Sequence, residues 1–120
     1  IKHATVQGGS NIIKLRGRSS FQSPAYNAVK MIEAAMGGDK FTWPAGCYVN
    51  CDACGFKNVM MAMPTVIDAE GVHFTKPEGT PEEMAELQAS YAHLCKMRDE
   101  IVELGIVPPV DQWKEMNPNL

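Results

Sequence analysis

Thr80-Pro81-Glu82-Glu83 constrains this chain more than any other stretch, because it fixes where a helix begins. A threonine hydroxyl at the cap accepts from the backbone N–H three residues on, and a glutamate there reaches back to the cap. Proline at the first helical position loses nothing, since that N–H has no helical partner. Met84, Leu87, Tyr91, Leu94, Ile101 and Leu104 follow at helical spacing, interrupted by Arg98, and Gly105 marks the end. The pattern predicts one long amphipathic helix, whose apolar stripe needs another element to lie against. The middle of the chain supplies it. FTWPAGCYVN and GFKNVMMAMPTVI are β-prone runs either side of a polar turn, at the distance of an antiparallel pair. TVIDAEGVHF adds a second short pair about the turn residues Asp68–Gly71.

The first third reads as two helices with a polar break between them. In HATVQGGSNIIKLRG the apolar positions Val6, Ile12, Ile13 and Leu15 are loosely periodic, and Gly17 is a stop. Gly8 and Gly9 each cost a helix about 1 kcal/mol, so close packing against another element is their expected use. The second helix is expected to be capped by Ser23, with Pro24 in its first turn. Ala25, Ala28, Val29, Ile32, Ala35 and Met36 make its apolar face, and Gly37-Gly38 ends it. The proline-rich tail IVPPVDQWKEMNPNL predicts no regular structure, with Trp113 as its anchor. The fold class is α+β: helices packed on a small antiparallel sheet, with residues 1–120 forming one domain.

Composition and charge exclude several functions. With 45% hydrophobic and 21% charged residues the chain is globular, and its eight methionines suit adaptable packing. A formal net charge of -3 offers no attraction to nucleic acid or to an anionic membrane. No apolar run approaches the roughly 18 residues of a spanning helix, and IKHATVQGG has no signal-peptide core. Ile1 in place of a methionine suggests a processed or excised piece. No phosphate-cradling glycine motif is present.

GCYVNCDACGF puts Cys47, Cys51 and Cys54 close together, with Cys95 distant. One C-x-x-C supplies half of a structural zinc site, and nothing completes it; no metal site is expected. A redox pair of the kind that opens a helix is not expected either, since strand follows. A hairpin turn with free thiols is expected, ahead of a labile disulfide or adventitious metal binding. His3, His73 and His93 share no metal-ligand spacing, and no serine sits in a G-x-S-x-G elbow. The most suggestive polar cluster is KLRGRSSFQS, Lys14–Ser23, where three cations and three hydroxyls fall at a helix junction. It can line a small-anion pocket beside a helix N-terminus. Solvated arginines and capping serines would produce the same letters.

VQGGSNIIKLRGRSSFQSPAYNAVKMI, WPAGCYVN, GFKNVMMAMPTVI and WKEMNPNL closely resemble the C-terminal, substrate-binding domain of the NAD-dependent lactate/malate dehydrogenase family, in its bacterial malate dehydrogenase branch. The resemblance covers essentially the whole chain, and its order of elements agrees. It implies a parent enzyme that moves a hydride between malate or oxaloacetate and NAD in the cytoplasm, with a Rossmann domain preceding this one. The family's histidine base, its aspartate and its substrate arginines lie upstream of the part resembled. No catalytic residue is therefore expected in this chain, NAD is not expected to bind it alone, and His3 is not the missing base. Two positions carry over: Ser19 as a substrate-pocket residue and Ser23 against the nicotinamide of the cofactor, where Pro24 departs from the usual glycine or alanine. A homodimer or larger oligomer is implied, with Gly8 and Gly9 suited to the contact. Members of this family run from CYVN to GF through a shorter turn, so Cys51 and Cys54 resemble an insertion at a hairpin tip. A self-standing, non-catalytic module that binds a carboxylate or a protein partner through Lys14–Ser23 is the alternative.

Overall fold

The computed structural model describes residues 1–118 and 120. Its elements run α1 (Lys2–Arg16), α2 (Gln22–Ala35), β1 (Ala45–Cys51), β2 (Phe56–Met63), β3 (Thr65–Asp68), β4 (Gly71–Phe74), α3 (Pro81–Glu103), a 3-10 turn (Val110–Gln112) and α4 (Trp113–Met116). The expected α+β class holds: helices with small antiparallel sheets, β1 paired with β2 and β3 with β4. The chain divides into two compact units, Ile1–Phe41 with Ile67–Gly71, and Thr42–Val66 with Val72–Leu120.

In the first unit α1 stops where Gly17 takes a left-handed φ of 70° and its N–H reaches the Ile13 carbonyl at 2.8 Å. No residue of α1 is buried, and a Cβ on Gly8 or Gly9 would meet no atom within 4 Å. Among the described residues these glycines therefore lack the close packing expected of them. Helix α2 differs from expectation at its start: Phe21 is the N-cap, without a side-chain bond, and Ser23 lies inside the first turn beside Pro24. Its end is as expected. Gly37 has φ 90°, and a Cβ on Gly38 would sit 2.8 Å from Glu33 Cγ and 2.9 Å from its carbonyl oxygen. Only Ala34 of α2 is buried, while Val29, Ile32 and Met36 are exposed. Phe41 is buried and bridges to Ile67 through two backbone hydrogen bonds of 2.8 and 3.0 Å. Next to it Lys40 donates to Asp68 at 2.8 Å; this hydrogen bond and the carboxylate's charge hold the ammonium above its usual range.

The second unit holds the main core, and a bulge organises it. Strand β1 alternates, burying Ala45, Cys47 and Val49. Strand β2 does not alternate throughout: it buries Phe56, Val59, Met61 and Met63, with two residues rather than one between the first pair of positions. The pairing explains this. Val49 faces Val59 and Cys51 faces Phe56, so β2 carries one extra residue opposite Asn50, and Asn58 absorbs it at φ 53°. A bulge of this kind shifts the pleat by one, which lets Phe56 and Val59 share a face.

The bulge leaves backbone groups without ladder partners, and α3 supplies them. Tyr91 Oη accepts from the Lys57 N–H at 3.1 Å, and Arg98 donates to the carbonyls of Asn58 at 3.1 Å and Lys57 at 3.4 Å. The long helix runs through Arg98 as expected, and the residue that breaks its apolar stripe serves the bulge. Burial is the strongest single influence on Arg98 and works against its charge, but the hydrogen bond to Asp99, that carboxylate's charge and smaller contributions from Cys95 and Tyr91 together raise its pKa. Leu87, Tyr91, Leu94 and Cys95 pack against Cys47, Val49, Phe56, Val59, Met61 and Met63. The Phe56 and Tyr91 rings lie 5.0 Å apart at 53°. Thr80 and Glu83 make the full reciprocal cap, an arrangement worth about 1 kcal/mol. Arg98→Met keeps the stem and removes the donors, and should cost about 1–3 kcal/mol in a denaturant melt, because it strands two bulge carbonyls.

Two further expectations need correction. The tail is not wholly irregular: it forms the short α4, and the Trp113 indole donates to the Pro108 carbonyl at 2.7 Å with its ring 6.3 Å from Tyr48. Cys51 and Cys54 do occupy the hairpin tip, but as a disulfide rather than free thiols, their Cα atoms 5.3 Å apart. A four-residue turn holds the two ends at bonding distance, since the Cys54 and Gly55 N–H groups both reach the Cys51 carbonyl, at 3.2 and 3.1 Å. Among the described residues no helix is long and apolar enough to cross a membrane.

Candidate functional site

Lys14–Ser23 folds as the junction between α1 and α2. Lys14 and Arg16 lie in the last turn of α1, where cations complement the negative helix end. The chain then turns at Gly17 and re-enters helix at Gln22. Phe21 is the platform of this junction. The Arg18 guanidinium carbon stands 4.9 Å from the centre of its ring and that of Arg16 5.8 Å, while Arg16 also donates to Gln22 Oε1 at 2.9 Å. Both distances are within cation–π range, so one half-exposed ring gathers two cations at the mouth of α2.

Ser19 lies between the helices and Ser23 in the first turn of α2; both are exposed, and neither takes part in the arginine–phenylalanine contacts. The first backbone bond of α2 runs from the Ala25 N–H to the Phe21 carbonyl at 3.0 Å. The N–H groups of Gln22 and Ser23 therefore have no helical acceptor, Pro24 has none to offer, and no side chain caps the turn. Two guanidinium groups, two hydroxyls and an open helix N-terminus are chemistry for a small carboxylate. Sequence reasoning singled out the cations and serines and missed Phe21 as the group that holds the arginines. Its signal was present, an aromatic within five residues of both.

Elsewhere the chain is poorer in chemistry. His3 on α1, His73 on β4 and His93 on α3 are exposed, each on a different element. In the second unit a groove of about 280 Å³ opens between β2 and α3, lined by Val59, Met60, Leu94, Met97, Ile101 and Trp113. Arg98 also borders it, but its donors serve the bulge and its own neighbour Asp99. Such a lining suits apolar contact rather than a dicarboxylate, which leaves the α1–α2 junction as the candidate site.

Comparison with known proteins bears on most of the chain. A sequence model of the lactate/malate dehydrogenase alpha/beta C-terminal domain matches residues 1–104, from α1 to the end of α3. A malate dehydrogenase of Bacillus israeli is 32% identical over 92 residues, which is 75% of this chain and 29% of that protein. One from Geobacillus kaustophilus is 30% identical over 92 residues, again 75% and 29%. One from Sorangium cellulosum is 31% identical over 68 residues, 57% of this chain and 21% of that protein. The chain thus spans less than a third of the length of these curated relatives.

Proposed function

Because the chain belongs to the lactate/malate dehydrogenase family, as its alpha/beta C-terminal domain, we propose that residues 1–120 form the substrate-side domain of a malate dehydrogenase. The parent enzyme would carry a hydride between C2 of malate and NAD, working in the cytoplasm, with the cofactor domain and the general base on a preceding Rossmann domain. The observation that carries the proposal is the α1–α2 junction, which lies within the matched residues and is open, cationic and rich in hydroxyls. There Ser19 would line the pocket for malate or oxaloacetate, and Ser23 would rest against the nicotinamide.

Exposed apolar side chains on this part of the chain support the same assignment. Val29 and Ile32 of α2 and Met36 just after it, like Ile13 and Leu15 of α1, lie uncovered within this chain. Surfaces of that kind mark contacts with another domain or subunit, which the cofactor domain and a second copy in a homo-oligomer would supply. The glycines of α1, which meet nothing here, would suit the same contact.

The proposal has a direct test. Supplied with oxaloacetate and NADH, the 120-residue chain should leave the NADH absorbance unchanged, because hydride transfer needs both a bound cofactor and a base. Oxidation at an enzyme-like rate would overturn it. Upstream of the Ile1 codon, the same reading frame should encode a strand, a glycine-rich turn and a helix. A start codon directly before Ile1 would instead favour a free-standing carboxylate-binding module.

A further inference from the structure

We propose that Cys51 and Cys54 form a reversible dithiol–disulfide site, a substrate for dithiol reductants that is separate from the dehydrogenase chemistry. The pair is bonded at the tip of the β1–β2 hairpin, and both residues are partly exposed, while Asp52, Ala53 and Gly55 around them are exposed. A reductant thiolate can therefore reach a sulfur without unfolding the core that the pair packs against.

The turn also assigns a direction. The Cys54 N–H donates to Cys51 Sγ at 3.2 Å. A donor on that sulfur stabilises the negative charge it acquires on leaving, so attack falls on Cys54 Sγ and Cys51 departs as the thiolate. The reductant's second thiolate then attacks its own sulfur in the mixed disulfide and expels Cys54. One disulfide has become two thiols, the reductant dithiol has become a disulfide, and two electrons and two protons have moved from it to the chain.

The turn can close again. Gly55 holds φ 76°, and the two hydrogen bonds to the Cys51 carbonyl involve no sulfur, so both thiols stay within reach of each other after reduction. By the reverse exchange a disulfide-form dithiol takes up the two electrons and two protons and restores the Cys51–Cys54 bond, whereas a reducing compartment holds the pair as thiols. What reduction removes is the covalent tie at the tip, next to Lys57, whose backbone groups bind Tyr91 and Arg98 of α3.

Differential alkylation tests this. Protein purified without reductant is treated with N-ethylmaleimide in its native state and read by peptide mass. Cys51 and Cys54 should stay unlabelled until dithiothreitol is added, then label with the circular dichroism unchanged. Amide protection at Cys54 and Gly55 should fall roughly tenfold on reduction. A brief pulse of glutathione quenched with the maleimide should leave glutathione on Cys54 and maleimide on Cys51. Labelling of both cysteines without reductant, or reduction only after unfolding, would overturn the site; glutathione on Cys51 would overturn the direction of attack. In the full-length enzyme Cys51→Ser with Cys54→Ser should abolish the response to dithiothreitol and leave malate turnover unchanged.

Discussion

Phe56→Ala should lower the stability of the hairpin–α3 unit by about 3–5 kcal/mol, enough to unfold much of a population with ordinary reserves. Phe56 is 2% exposed and is among the largest side chains fully buried. It closes the tip end of the core, packs its ring on Tyr91, and faces the core only because the bulge re-phases β2. Truncating it leaves a cavity bounded by a disulfide turn and a helix, neither of which collapses easily. Denaturant melts of the 120-residue chain measure the loss. Tyr91→Phe, which keeps the ring contact and removes only the hydroxyl, should cost about 1 kcal/mol. A loss below about 1 kcal/mol for Phe56→Ala would mean that this ring is not central to the core.

The largest functional effect is expected at Ser19. In the full-length enzyme Ser19→Leu should reduce kcat/KM for oxaloacetate on the order of 100-fold, since small misplacements of a reacting carbon have that effect. Melting behaviour should stay the same, because Ser19 is exposed between two helices and supports no core. If Ser19 only helps to bind substrate, KM rises and kcat is kept; if it also positions C2, kcat falls as well. Unchanged kcat/KM would remove Ser19 from the pocket. Arg16 and Arg18 are not assigned to the reaction, and the ring that gathers them would act on the site's charge rather than on the hydride.

Much of the fold was legible wherever physical chemistry is local. The Thr80–Glu83 cap, the Gly17 and Gly37-Gly38 stops, and the two strand pairs require only residues within a few positions of one another. The α2 cap misled because a serine just before a proline is a strong signal, yet the cap lies two residues earlier, at Phe21. The tail misled because its prolines obscure the four residues that do turn into helix.

By itself the sequence determined the order and type of the elements before the tail, the position of a cationic, hydroxyl-rich junction, and the family pattern. Capping, turn chemistry and periodicity are written in neighbouring letters and need no tertiary partner. Only the tertiary structure decided that β2 carries an extra residue, that Arg98 and Tyr91 satisfy it from 40 and 34 residues away, and that Phe21 collects both arginines. It also decided that Cys51 and Cys54 face each other closely enough to bond. Those facts depend on the directions in which side chains and carbonyls point once separate segments meet, and no periodicity in the chain encodes a direction.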